Sequence, residues 1–138
     1  MTSPRAVPSA PGFTEAQFTD RIVDTAHLYG WKAAHFRAGR TAHGYRTPLQ
    51  YAAKGWPDLI LVHPDAGAVL AVEVKLWRNR KPAPEQEQWL RWLNLCGIGA
   101  AVWTERDWEA VILPTLSRPG RHLQRNPSRA LYTGRNGG

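Results

Sequence analysis

Asp58, Glu73 and Lys75 are the residues whose types and spacing could do chemistry together. Glu73 and Lys75 stand two apart in Ala71-Val72-Glu73-Val74-Lys75. That run is rich in strand-forming residues, so both side chains project to one face of a strand. Asp58 heads a second apolar run, Leu59-Ile60-Leu61-Val62. Between the two lies Pro64-Asp65-Ala66-Gly67, a turn composition with Gly last. A hairpin symmetric about Asp65 and Ala66 pairs positions whose numbers add to 131, which sets Asp58 opposite Glu73. Directly opposed residues have Cβ atoms roughly 5 Å apart. A slip of one residue would turn every side chain of a strand to the other face, so the register decides whether a site exists.

Two like charges that close destabilise a fold unless something offsets them. A divalent cation does so, and hard cations such as Mg²⁺ take carboxylate oxygens as ligands. The Lys75 ammonium beside it could orient a water, or hold the negative charge that builds on an attacked phosphate. These groups suit hydrolysis of a phosphodiester. A Glu-x-Lys tripeptide alone is usually an ordinary surface ion pair. Pro-Asp, an apolar strand, a turn and Glu-Val-Lys in register favour the catalytic reading.

The elements that must position these groups follow from the pattern around them. Thr14 and Gln17 have capping-box spacing, and Phe18, Ile22, Ala26 and Tyr29 recur at helical spacing up to Gly30. Glu15 falls in the first turn, where a carboxylate complements the helix dipole. Trp31 to Phe36 is a candidate first strand. No convincing period runs from Thr41 to Lys54, a stretch of basic residues interleaved with aromatics that suits phosphate contact and base stacking as well as it suits a solvated loop. The hairpin spans about Pro57 to Trp77, and its unbroken apolar runs predict strands covered on both faces. His63 closes the first of them in a structural position. Arg78-Asn79-Arg80-Lys81 follows, where a phosphate backbone would pass. Pro84 suits a first helical turn, Trp89, Leu90, Leu93 and Cys96 make one stripe, and Gly97 ends the helix. Gly99 to Trp103 reads as a strand, and Thr104 caps a short helix containing Asp107, Trp108, Val111 and Ile112, with Pro114 near its end.

Composition bounds the remainder. A chain of 138 residues, 43% hydrophobic, makes one domain with a modest core. Residues 1–13 read as a flexible arm, 14–116 as the folded domain, and 117–138 as a basic tail holding five arginines and no acid. The formal charge of +7 favours a polyanionic partner. His35, His43 and the lone Cys96 lack zinc spacing, and one cysteine builds no disulfide framework. No apolar run approaches the ~20 residues of a membrane span, and no signal peptide is apparent. The expectation is a cytoplasmic protein with no membrane partner.

Gly55-Trp56-Pro57-Asp58, then fourteen residues, then Glu73-Val74-Lys75 resembles the signature of the PD-(D/E)xK nuclease superfamily. Ala83-Pro84-Glu85-Gln86-Glu87-Gln88-Trp89 after it is similar to the helix start of the virus-type replication-repair nuclease (VRR-NUC) branch, which opens Ser-Pro-x-Gln before an aromatic. The resemblance covers roughly residues 14 to 116. It implies an α/β fold, a restriction-endonuclease-like αβββαβ core with a small mixed sheet flanked by helices. It implies a Mg²⁺- or Mn²⁺-dependent DNA endonuclease. Asp58, Glu73 and the Val74 carbonyl would hold the metal, with Glu15 as an outer or second ligand. Lys75 would assist the water and Gln86 would position it. Arg37, Arg40, Arg46, Tyr51, Lys54, Arg78, Arg80 and Lys81 are the candidate DNA contacts. Stand-alone members are small and often viral, and some cut branched DNA such as four-way junctions as homodimers, which makes a structure-selective, phage-encoded dimeric nuclease of replication, recombination or repair the leading expectation. Two readings of other classes stay open: a catalytically silent DNA-binding module on a nuclease fold, and an interaction protein such as a nuclease inhibitor.

Overall fold

The computed structural model describes residues 12–36, 39–41, 44–46 and 54–120. The arm before Gly12 and the tail after Gly120 lie outside them. Helix α1 (Glu15–Leu28) starts where the capping box predicts: Thr14 Oγ1 accepts from the Gln17 amide at 3.1 Å, and the Thr14 amide donates to Gln17 Oε1 at 2.9 Å. It ends at Gly30, whose φ of 93° lets the Gly30 and Trp31 amides reach back to the His27 and Ala26 carbonyls. Any side chain there is strained by that φ, and its Cβ would sit 2.8 Å from His63 Nε2. The helix buries Phe18, Ile22 and Ala26 completely.

Strand β1 (Lys32–His35) follows, then two three-residue strands, β2 (Gly39–Thr41) and β3 (Gly44–Arg46), paired antiparallel with each other. These two correct the reading of that stretch as aperiodic; three residues are too few to display an alternation. Strands β4 (Leu59–His63) and β5 (Ala68–Val74) form the hairpin. Its register runs from Leu59↔Val72 to His63↔Ala68, every pair adding to 131 as predicted. Helix α2 (Pro84–Leu95) carries the chain across to β6 (Gly99–Trp103), which pairs parallel with β5. The mixed sheet has the order β1-β4-β5-β6, and the chain realises the αβββαβ core of the restriction-endonuclease-like fold.

The sheet is covered on both faces. Phe18, Ile22, Trp31, Leu59, Leu61, Leu70, Val72, Trp103, Trp108 and Leu116 make the larger core on the α1 side. Ala71, Leu90, Ala100 and Val102 make a smaller one under α2. Strand β5 is buried along almost its whole length, as its unbroken apolar run predicts. Strand β4 departs from that expectation: Val62 is 38% exposed, so β4 alternates although its composition does not. Cys96 also leaves the apolar stripe assigned to it and is exposed; Asn94 takes the buried place instead. Asn94 gives and accepts one hydrogen bond each with the Ala100 carbonyl and amide, at 2.9 and 3.1 Å, and so fixes the start of β6 to the end of α2.

Beyond β6, Thr104 caps a 3₁₀ turn over Glu105–Asp107, and Asp107 Oδ2 accepts from the Thr104 amide at 2.8 Å. A wide π-helical turn over Trp108–Ile112 leads into the last short helix, α3 (Leu113–Ser117). Pro114 explains the widening: it has no amide to donate, and its ring would press on the carbonyl four residues back in a regular helix. Trp31 Nε1 donates to the Leu116 carbonyl at 2.9 Å, tying α3 to the start of β1. Among the described residues no helix is long and apolar enough to cross a membrane.

Candidate active site

The hairpin's open end gathers the acids. Asp58 stands one residue before β4, its carbonyl accepting from the Phe36 amide at 2.7 Å. Its side chain turns across the strand end, where Oδ2 accepts from the Val74 amide at 2.9 Å. Glu73, on β5, is 2% exposed and faces α2 rather than the larger core. Glu73 Oε2 accepts from Gln86 Nε2 at 2.8 Å and lies 3.6 Å from Lys75 Nζ. Lys75 keeps its place through the backbone, its amide donating to the Trp103 carbonyl at 3.0 Å.

Gln86 is held from both ends. Its Oε1 accepts from the Ala83 amide at 2.7 Å, which closes the first turn of α2 and forces the NH₂ group toward Glu73. The close approach of α2 depends on Gly55. With φ at 89°, Gly55 lies so near the helix that a Cβ there would be 2.5 and 2.6 Å from the carbonyl carbon and oxygen of Glu85. Thus the Gly of Gly-Trp-Pro-Asp serves the site by letting the hairpin strand pass against the helix that carries Gln86.

Burial is the main electrostatic fact. It pushes the Glu73 carboxyl up to about 9, with the Asp58 charge adding to the rise and Lys75 opposing it. Burial raises Asp58 as well, against the pull of the Val74 amide, the Glu73 carboxyl, Lys75 and His35. Glu15, at the start of α1, presents an exposed face, yet crowding by protein raises it too; Lys75 and Arg78 pull it down and Asp58 pushes it up. The three acids therefore share one field with Lys75. Near neutral pH the Asp58–Glu73 pair retains a proton on Glu73. Glu73 Oε1 is buried with no hydrogen-bond partner. Two buried acids that share one proton, with no donor from the rest of the protein to Glu73 Oε1, fit a hard cation that takes the place of that proton. Among the described residues no group of three or more His, Cys, Asp or Glu side chains could hold a metal ion. Glu15 is accordingly felt by the pair but not gathered with it, and a cation here would rest on two carboxylates, a carbonyl and waters.

The candidate DNA contacts divide four ways. Arg78, Asn79, Arg80 and Lys81 line an open concavity of about 700 Å³ just past β5. Arg78 Nη2 donates to the Phe13 carbonyl at 3.2 Å, and the Arg80 guanidinium lies 4.0 Å over the Trp77 ring. The Trp77 amide donates to Glu105 Oε1 at 2.8 Å, an anchor for this basic turn that nothing in the local sequence announces. Lys54 is exposed and 3.5 Å from Glu85 Oε2. Arg40 lies on β2 and Arg46 on β3. Arg37 and Tyr51, with His43, lie outside the described residues.

Sequence reasoning missed the aromatic ladder on the Asp58 side. Phe36, Trp56, Trp89 and Trp92 meet edge to face in succession, with centroids 6.1, 5.0 and 5.2 Å apart. Trp89 Nε1 also donates to the Lys54 carbonyl at 3.1 Å. The spacing of Trp89 and Trp92 on one helix was the available signal; the partnership with Trp56 and Phe36 is tertiary.

Comparison with protein-family models, with curated proteins and with solved structures finds no match. Fold and site together define the class of scaffold: a small mixed sheet between helices, as in the restriction-endonuclease-like nucleases, with two acids, a lysine and a glutamine converging at the end of one hairpin.

Proposed function

We propose that this chain is a Mg²⁺- or Mn²⁺-dependent DNA endonuclease of the VRR-NUC kind, acting in the cytoplasm, of a host cell if it is phage-encoded. The observation that carries the proposal is the convergence on Glu73: Gln86 at 2.8 Å, Lys75 at 3.6 Å, and an unpartnered buried Oε1 beside Asp58. Asp58, Glu73 and the Val74 carbonyl would hold the cation, and Glu15 would act through water or as charge. When bound, the cation would supply Lewis acidity to the scissile phosphate and a more acidic water.

The protein's own groups do the rest. Lys75, mostly shielded, faces Glu73 and can donate to the attacking water or to the phosphate oxygen that gains charge. Gln86 holds the Glu73 carboxylate in one orientation, so the acid does not rotate as charge changes. The buried setting strengthens each of these interactions by excluding water. Arg78, Arg80 and Lys81 would receive the phosphate backbone beyond the cut, and Lys54, Arg37, Arg40, Arg46 and Tyr51 remain the other proposed DNA contacts. Branched DNA is the proposed substrate, with a homodimer where two strands of a junction are cut.

Cleavage of a labelled panel tests this: duplex, single-stranded, flap and four-way junction DNA, with Mg²⁺ or Mn²⁺, for wild type and Lys75→Ala. Metal-dependent cutting that disappears in the variant is the expected result, and the preferred substrate names the activity. Binding of DNA by both proteins with no cutting by either would replace the proposal with a DNA-binding module on a nuclease scaffold.

A further inference from the structure

We infer that the tryptophan ladder is a stacking platform for an unpaired nucleobase next to the scissile phosphate, so that the preferred substrate is single-stranded at the cut. This deepens the nuclease reading and rests on it for the position of the cut, but not for the binding.

The ladder begins at Phe36, whose amide holds the Asp58 carbonyl, and continues through Trp56, two residues before Asp58. It then climbs α2 through Trp89 to Trp92. Gln86, Trp89 and Trp92 are three apart on that helix, so the run from the Glu73 contact to the top of the ladder advances about 9 Å. A nucleotide spans a comparable length. Trp92 is 45% exposed although it is among the largest apolar side chains of the protein. Among the described residues, the core under α2 takes Leu90 and Leu93 from this helix and not Trp92, whose ring meets that of Trp89.

The occupant is argued from charge and chemistry. The chain carries +7, which attracts a polyanion. Lys54, 83% exposed, is joined to the ladder by its carbonyl, and its exposed ion pair with Glu85 is weak enough for a phosphate to displace. A flat aromatic face beside a cation is what binds bases without reading their sequence. In a duplex the bases are stacked on each other and offer no face to a tryptophan, so this platform discriminates by strandedness.

The test measures binding of short fluorescent oligonucleotides in EDTA, where no cutting occurs. Wild type and Trp92→Ala are each titrated with single-stranded DNA, with blunt duplex, and with single strands carrying one abasic residue at successive positions. Trp92 is exposed enough for the alanine variant to fold, which circular dichroism checks. Expected is a loss of about fivefold or more for single strands in Trp92→Ala and little change for duplex. Expected also is one abasic position that weakens wild type but has no further effect in the variant. Equal losses on both substrates, no loss, or abasic effects that simply add would each overturn the inference. A wild-type dimer that Trp92→Ala dissociates in sedimentation would overturn it too, assigning the surface to a second copy. Lys75→Ala runs in parallel: if it binds single strands as wild type does but neither protein cuts DNA with metal, the nuclease reading fails and the platform stands.

Discussion

Replacing Glu73 by glutamine should flatten the dependence of stability on pH. In the metal-free protein the folded Glu73 keeps its proton up to about 9, whereas the unfolded chain releases it near 4.5. The folded state therefore binds more protons across that window. Its stability is fully present below the unfolded value and is lost as pH rises toward the folded one. One proton corresponds to about 1.4 kcal/mol per pH unit, so a rise of about two units inside the window removes roughly 2.7 kcal/mol from wild type through this group. Glutamine keeps the shape and the contact with Gln86 but has no proton to hold. Burial raises Asp58 in the wild-type protein as well, a contribution of the same sign. Urea unfolding in EDTA, at several pH values between about 5.5 and 7.5, gives the two slopes. The variant should lose about one proton's worth of slope and become the more stable protein at the alkaline end. Equal slopes would refute the reasoning, because they would mean that burial does not hold Glu73 neutral.

Other substitutions read other parts of the arrangement. Lys75→Ala should reduce metal-dependent cleavage by roughly 10²–10⁴-fold while leaving the urea midpoint close to wild type, measured in single-turnover reactions. Gln86→Ala removes the donor to Glu73 and the acceptor of the Ala83 amide; it should cost about 1–2 kcal/mol in urea unfolding and lower cleavage by a smaller factor than Lys75→Ala. Gly55→Ala forces a Cβ against the Glu85 backbone at a φ of 89°, and should destabilise by about 2–4 kcal/mol in the same assay. Asn94→Ala leaves the Ala100 amide and carbonyl without partners in a buried place, at a cost of about 2–4 kcal/mol.

The register of the hairpin was legible because both strands and the turn are local. Pro64 to Gly67 fixes the reversal, and the pairing adds to 131 without help from any distant residue. The caps of α1 and the stop at Gly97 were legible for the same reason. What escaped depends on contacts far apart in sequence. The exposure of Val62 follows from which face of β4 the helices leave uncovered, and the composition of Leu59 to Val62 does not encode it. The burial of Asn94 in place of Cys96 follows from where β6 begins, since only the Ala100 backbone gives the amide its partners. Within the candidate site, strand period set Glu73 and Lys75 on one face, and the symmetric hairpin set Asp58 opposite Glu73. The double role of Gln86, and the need for glycine at position 55, arise only when α2 folds back over the hairpin.

Titration calorimetry of Mn²⁺ into the metal-free protein near pH 7, in buffers of different ionisation enthalpy, tests the central claim most directly. Cation binding between Asp58 and a Glu73 that still carries its proton must expel that proton. The expected result is one site per chain with close to one proton released, lost in Asp58→Asn and in Glu73→Gln. Absence of binding, binding without proton release, or binding unchanged in both variants would contradict the assignment of the Asp58–Glu73 pair as the metal centre.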